Sequence, residues 1–265
     1  MSKYGFIGCG NMGGALAAAA AKAVGGTNLL LADANEEKAR ALAQKLGATV
    51  ATNQEIAEQC DLVVLGVKPQ VLAQAAAEFA AHLDPHTLVV SMAAGVTLET
   101  LGSLLGPRPL IRIMPNTPVQ VGEGRILYAT NGVNLHQEKV FLQLFAQAGT
   151  LHALDEKLMD AGTAVSGCGP AFVYLFIEAL ADGGVTAGLP RELALELAAG
   201  TVLGSAKTVL ETGIHPAALK DAVCSPGGST IEGVHALEQN GFRGTTMEAV
   251  IQAYEKTKVL GGSKK

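Results

Sequence analysis

Lys3-Tyr4-Gly5-Phe6-Ile7 runs directly into Gly8-Cys9-Gly10-Asn11-Met12-Gly13, and an alanine- and leucine-rich stretch follows to about Val24. The hexapeptide fits G-x-G-x-x-G, with an apolar strand before it and a helix after it. Thr27–Ala32 is a second apolar strand, and it ends at Asp33, about 20 residues past the last motif glycine. This order of strand, glycine turn, helix, strand and acid is what a dinucleotide-binding fingerprint requires. Gly8 permits the tight turn, Gly10 lets the main chain approach a pyrophosphate, and Gly13 lets the helix lie close to the strand. The helix N-terminus then faces the phosphates with unpaired N–H groups and the positive end of its dipole. Asp33 accepts hydrogen bonds from a ribose 2′-hydroxyl and repels a 2′-phosphate, and the nearest arginine downstream, Arg40, sits a turn or two into the next helix, which together favour NADH slightly. The plainer reading of Asp33 is a solvated acid at a strand end.

The alternation continues outward. Glu36–Leu46 and Asn53–Gln59 read as helices, Ala48–Ala51 and Asp61–Gly66 as strands. Further strands are expected at Thr87–Ser91, Leu110–Met114, Arg125–Ala129 and Thr150–Ala153, with a helix at Leu135–Ala148. Strands separated by helices imply an open, mostly parallel sheet. Val67-Lys68-Pro69-Gln70, Met92-Ala93-Ala94-Gly95 and Pro115-Asn116-Thr117-Pro118 all leave the carboxyl ends of strands, the edge where such sheets bind ligands. Lys68 is the cation among these loops. It reads equally as a phosphate or carboxylate contact and as a surface lysine.

From Asp155 the period changes. Helical patterns follow one another without strands: Lys157–Val165, a break at Ser166–Pro170, then Ala171–Ala187, Arg191–Thr212, Thr230–Glu238 and Thr246–Leu260, with Gly261–Lys265 as a frayed tail. The fold class is therefore α/β, with an N-terminal Rossmann-like dinucleotide-binding domain over residues 1–153. Residues 154–265 form an all-helical domain for substrate binding and dimerisation. Phe172–Leu180 is apolar on nearly every side, and a domain of about 110 residues has little interior for such a helix. A second copy of the chain is expected to bury it, in an interlocked dimer.

Within the helical half, Ser225-Pro226-Gly227-Gly228-Ser229-Thr230 stands out. Proline and two glycines allow a tight turn, and Ser229 and Thr230 open an apolar-periodic run with Glu232 close behind. This reads as a helix N-terminus, either a plain cap or a cradle for a small anion such as a carboxylate.

Composition narrows the function. The 265 residues carry a net charge of −5 with scattered Lys and Arg, which argues against a nucleic-acid partner. Ala15–Ala23 is apolar but covers only about half a membrane span. The 6 histidines and 4 cysteines show no metal-ligand spacing, and no metal is expected. Cysteines 9, 60, 168 and 224 point to a reducing compartment, and no targeting segment is read before the first strand, so a cytoplasmic location is expected. No nucleophile–base pattern is present. Hydride transfer needs none, because the cofactor carries that chemistry. The residues alone lead to an oxidoreductase of a small carboxylate bearing a reducible C=O or C=N bond.

The chain also resembles the pyrroline-5-carboxylate reductases along essentially its whole length. The resemblance rests on Leu219-Lys220-Asp221 through the S-P-G-G-S-T turn, on His235-Ala236-Leu237-Glu238 and on Gly241-Phe242-Arg243. It extends to Gly167–Pro170, Ala179–Val185, Gly188-Leu189-Pro190, Val67-Lys68-Pro69 and Met114–Pro118. It implies reduction of 1-pyrroline-5-carboxylate to L-proline by NADH or NADPH, the final step of proline biosynthesis. Gly228, Ser229 and Thr230 would hold the substrate carboxylate, with Thr230 the catalytic candidate at the ring nitrogen and Glu156 favouring the protonated imine. Gly8, Cys9, Gly10, Asn11, Met12, Gly13, Asp33, Asn53, Gly66, Val67, Lys68, Pro69, Met92, Ala93 and Ala94 would contact the cofactor. The helical domains of two chains would interlock, and dimers would assemble into a decamer. Asp33 departs from the serine or asparagine of NADPH-preferring members. Ala222 stands where some relatives carry a cofactor-contacting asparagine, and Cys168 replaces a serine. A related imine reductase or a β-hydroxyacid dehydrogenase-like enzyme is the alternative; the latter would want a lysine on the long central helix, and Phe172–Leu180 has none.

Overall fold

The computed structural model describes residues 2–260, so Met1 and the tail expected at 261–265 lie outside the described residues. The chain divides into two compact units: one holds the residues to Cys168 together with the last turns of the chain from Ala253, the other Gly169–Gln252.

In the first unit, β1 (Tyr4–Ile7), α1 (Asn11–Val24), β2 (Leu29–Ala32), α2 (Glu36–Leu46), β3 (Thr49–Val50), α3 (Asn53–Gln59) and β4 (Leu62–Leu65) follow in order. Then come α4 (Pro69–Phe79), β5 (Leu88–Ser91), α5 (Leu98–Leu105), β6 (Leu110–Met114), β7 (Gly124–Asn131), α6 (Leu135–Phe145), β8 (Gly149–Ala153) and α7 (Met159–Gly162). The eight strands form one sheet in the order β3-β2-β1-β4-β5-β6-β7-β8. Neighbours from β3 to β6 are parallel, β7 runs antiparallel to β6, and β8 is parallel to β7.

The central strands are apolar at nearly every position because both faces are covered, with Ser91 on β5 and Arg112 on β6 the buried polar exceptions. Side chains alternate between the faces. Phe6, Leu31, Val64, Val90 and Ile111 join one core with α1 and α6, while Ile7, Leu30, Val63, Leu65 and Val89 join the other with α3, α4 and α5. Alanine dominates the buried stripe of α1, which lets that helix lie close to the sheet.

Helix α5 was not anticipated. It is short, contains Gly102, and is started by Thr97, whose hydroxyl accepts from the Thr100 N–H. The break expected at Ser166–Pro170 is instead a π-helical turn over Thr163–Gly167 that passes into the next helix. The boundary expected at 153/154 also differs from the packing division after Cys168. Residues 156–168 are tied to the sheet, Glu156 and Asp160 by Arg112 and Ser166 by Asn116.

The second unit is helical: α8 (Gly169–Thr186), α9 (Arg191–Thr212), α10 (Pro216–Ala222), α11 (Ser229–Gln239) and α12 (Phe242–Leu260), whose end belongs to the first unit. α8 and α9 pair through Ala181, Ala194 and Ala198, with Ile177 and Val185 beside them. Gly188, at a φ of +101°, and Pro190 make the corner between them. Val173, Tyr174 and Leu175 of α8 remain exposed, as do Leu203 and Leu210 of α9. The all-round apolar helix expected at Phe172–Leu180 is thus present but not buried by its own chain.

Candidate functional sites

A cleft of about 1190 Å³ opens at the carboxyl edge of the sheet, bordered by the ends of β1, β2 and β4 and by the first turns of α2, α3 and α4. Three glycines bring its floor together. A Cβ on Gly13 would stand 2.1 Å from the Gly8 carbonyl oxygen, one on Gly66 2.6 Å from the same oxygen, and one on Gly8 2.7 Å from Gly66. Gly8 also has a φ of +103°, which other residues resist. Gly10 differs from these three. A Cβ there would meet no atom within 4 Å, so the main chain at the mouth of α1 faces open space. Gly10 is the N-cap of α1, no side chain caps the helix, and no acid sits in its first turn. The free N–H groups and the dipole of that end suit a pyrophosphate, so the residues present fit a dinucleotide.

Asp33 ends β2 with its carboxylate fixed by the main chain. Oδ2 accepts from the Cys9 N–H at 2.7 Å and Oδ1 from the Asn35 N–H at 2.8 Å. Each oxygen keeps a further lone pair for a ribose hydroxyl. Gly8, Gly10, Asp33, Asn53, Gly66, Val67 and Lys68 line this cleft together. Cys9, Asn11, Met12, Gly13, Pro69, Met92, Ala93 and Ala94 do not. The Cys9 thiol is turned inward, toward the Ala32 carbonyl, and burial, then the Asp33 charge, push it up to about 11. Met12 packs into the core beneath α1, and Ala93 is buried at the end of β5. What the buried Cys9 and Ala93 offer a ligand must come from their main chain.

The cleft also holds residues not anticipated. Thr52 caps α3, accepting from the Glu55 N–H, while the Glu55 carboxylate accepts from the Thr52 N–H at 2.7 Å and holds its own pKa below the usual carboxylate value. The T-x-x-E spacing of Thr52-Asn53-Gln54-Glu55 was the available signal. Asn53 donates to Glu78 at 3.1 Å, and Glu36 pairs with Arg40 on the wall formed by α2.

Glu156 lies elsewhere in this unit. Its Oε1 accepts from the Leu98 N–H at 2.8 Å, at the N-terminus of α5, and pairs with Arg112 at 3.1 Å. It borders a separate pocket of about 550 Å³ with Ala129–Asn131 and Leu154, which shares no residue with the glycine cleft.

In the helical unit, the Ser225–Gly228 turn closes through a Gly228 N–H to Ser225 carbonyl bond of 3.0 Å, with Gly227 at a φ of +67°. A Cβ on Gly228 would stand 2.4 Å from the Ser225 hydroxyl oxygen. Gly228 is the N-cap of α11, again with no side-chain cap, and Ser229 and Thr230 are exposed on the first turn. Lys220 lies just before the turn and pairs with Asp221 at 2.8 Å, which raises the lysine above its ordinary pKa. Among the described residues no cluster of histidine, cysteine or acid could hold a metal ion.

Residues 156–260 match the family pattern described as "Pyrroline-5-carboxylate reductase dimerisation", and residues 3–95 match "NADP oxidoreductase coenzyme F420-dependent". A pyrroline-5-carboxylate reductase of Arabidopsis thaliana is 43% identical, over 98% of this chain and 96% of its own. That of Escherichia coli is 42% identical over 98% and 99%. The crystal structure of Plasmodium falciparum pyrroline carboxylate reductase with NADP bound superposes with a TM-score of 0.86, at 37% identity and covering 98% of each chain.

Proposed function

The chain belongs to the pyrroline-5-carboxylate reductase family, and from that premise we propose how its own residues carry the reaction. It is a nicotinamide-dependent oxidoreductase of a cyclic imine, reducing 1-pyrroline-5-carboxylate to L-proline in proline biosynthesis. The reduced nicotinamide, when bound, supplies hydride to the C5 carbon of the imine. The protein supplies position and electrostatics.

One observation carries the division of labour. Helices α2, α3, α5 and α6 are closed by Asn35, Thr52, Thr97 and Asn134 side chains. Helices α4, α7 and α9 lack a side-chain cap but begin at Lys68, Leu158 and Pro190, whereas α1 and α11 lack one and begin at glycines, whose main chain a ligand can approach closely. Those two open helix ends suit the two anions of the reaction, a pyrophosphate at Gly10 and a small carboxylate at Gly228. We propose that Gly8–Gly13 and Gly66–Pro69 hold the cofactor phosphates mainly through main-chain N–H groups, with Lys68 adding charge. Asp33 and Asn53 take the adenosine end, and Met92–Ala94 take the nicotinamide end through their backbone. Gly228 and Ser229 grip the substrate carboxylate. Thr230 orients the ring nitrogen through its hydroxyl and is the catalytic candidate. Glu156 supports the protonated imine by its charge, a role for which its Arg112 partner leaves Oε2 as the available oxygen.

Asp33, held rigidly by two main-chain donors, supports NADH as the preferred cofactor. Residues 1–153 serve as the dinucleotide-binding domain and 154–265 as the substrate-binding and dimerisation domain. Dimers through the helical unit would assemble further into a decamer, in the cytoplasm. Oxidation of NADH and of NADPH, followed by the loss of reduced-nicotinamide absorbance with pyrroline-5-carboxylate, tests the reading. Turnover with neither cofactor would overturn it.

A further inference from the structure

Arg40 is the arginine that borders the glycine cleft, and it is already engaged. Its Nη2 meets Glu36 Oε1 at 2.5 Å, one helical turn back on α2, and both side chains keep about two-thirds of their exposure, 68% and 66%. Around them the cleft is acidic: Asp33, Glu36, Glu55 and Glu78 line it against Arg40 and Lys68. A dinucleotide with a 2′-phosphate brings further negative charge to the end of β2, where Asp33 cannot turn away from its two N–H donors. Such a ligand needs a cation there; Lys38 is nearer along the chain but does not line the cleft, whereas Arg40 does.

We propose that Glu36 is a specificity-determining residue for the cofactor: by neutralising Arg40 it excludes a 2′-phosphorylated dinucleotide. This deepens the reading of the cleft as a nicotinamide-dinucleotide site and rests on it. An exposed i,i+4 pair contributes little to stability, so Glu36 acts through its charge rather than by locking a conformation. Removing that charge leaves Arg40 to a phosphate, with which a guanidinium forms paired hydrogen bonds.

The test is binding, read by nicotinamide fluorescence on titrating the full-length protein with NADH and with NADPH. Wild type is expected to bind NADH more tightly. In Glu36→Gln the NADPH affinity should rise about tenfold, the scale of a unit charge facing a phosphate near the surface, while NADH affinity stays within about twofold. Added salt should shrink the gain. In the double variant Glu36→Gln/Arg40→Ala the gain should disappear. An unchanged NADPH-to-NADH ratio in Glu36→Gln, or a gain that survives loss of Arg40, overturns the proposal. If wild type binds neither nucleotide, the cleft reading itself falls and takes this inference with it.

Discussion

Arg112 shows how much one buried side chain can organise. It is 4% exposed on β6, with Nη1 on Glu156 and Nη2 on Asp160, and its Nε is buried without a partner. Replacing it by methionine removes a costly buried charge but strands two carboxylates. Loss of one member of a buried pair typically costs about 3–5 kcal/mol. Here the lower end is expected, because Glu156 and Asp160 keep 30% and 25% of their side-chain exposure and can rehydrate. Urea unfolding of Arg112→Met measures this, and an unchanged midpoint would show that the cluster contributes nothing. Gly13 poses a steric question instead. Alanine there drives a methyl to 2.1 Å from the Gly8 carbonyl oxygen, a main-chain atom that cannot swing aside. Gly13→Ala should cost about 1–3 kcal/mol as α1 is pushed from the turn, and should weaken NADH binding as well. Native stability with native affinity would refute the close-packing role. Thr230→Ala leaves the α11 N-terminus intact, since Gly228 and not Thr230 is the N-cap. Its expected effect is on turnover, a loss of about tenfold or more, with the fold unchanged. Wild-type steady-state kinetics in that variant would remove Thr230 from the mechanism.

At the scale of elements, the segment from Glu156 to Gly167 is where sequence reasoning and structure part. Periodicity read a helix, then a break, and placed both in the helical domain. The structure instead keeps the chain helical and widens one turn over Thr163–Gly167. The Ser166 carbonyl would pair with position 170 in a helix, but Pro170 has no N–H, and Asn116 meets the need: Nδ2 donates to the Ser166 carbonyl at 2.9 Å while Oδ1 accepts from the Arg125 N–H at 2.8 Å. No local pattern announces a bond between residues 50 positions apart. For Asn116→Ala we expect a loss of about 1–3 kcal/mol for each main-chain group left without its partner, checked by thermal unfolding. A shift no larger than that of a surface substitution would mean that water or the neighbouring chain takes over both bonds. By contrast, the glycine turn and its flanking strands were legible because each glycine answers a local steric demand. Arg191–Thr212 was legible because Pro190 and Gly213 mark its ends. Helix α5 was missed because Gly102 interrupts its short run and Thr97 is followed at N3 by Thr100 rather than by the capping-box acid that marks the similarly short α3. Asp33 was found as a ligand candidate, whereas its bonds to Cys9 and Asn35, and the pairing of Glu36 with Arg40, needed coordinates.

For the whole molecule, the decisive fact is that the helical unit does not bury itself. Ala181, Ala194 and Ala198 make up its buried apolar cluster among the described residues, while Leu175 is 66% exposed, Leu203 68% and Met247 62%. The segments Glu156–Thr186 and Arg191–Thr212 are long and apolar enough to cross a bilayer, and only 11% of each such window is buried within the chain. Two kinds of surroundings could cover these faces, a lipid phase or protein. Glu178 and Asp182 lie within α8, and a carboxylate at the centre of a bilayer costs about 2.5–3.5 kcal/mol, so lipid suits that helix poorly. Protein suits it better, and the match of residues 156–260 to a dimerisation family says the same from an independent direction. Two charges placed on the exposed apolar faces should therefore separate the copies. Leu175→Glu combined with Leu203→Glu is expected to lower the mass seen by sedimentation velocity to that of a single chain. It should also lower the melting temperature most at low protein concentration, since association that stabilises the fold makes stability concentration-dependent. Retention of the wild-type mass would show that these side chains lie outside the interface. A monomeric wild type at working concentration would leave the apolar surface of α8 and α9 without the second copy on which this account of the helical unit depends.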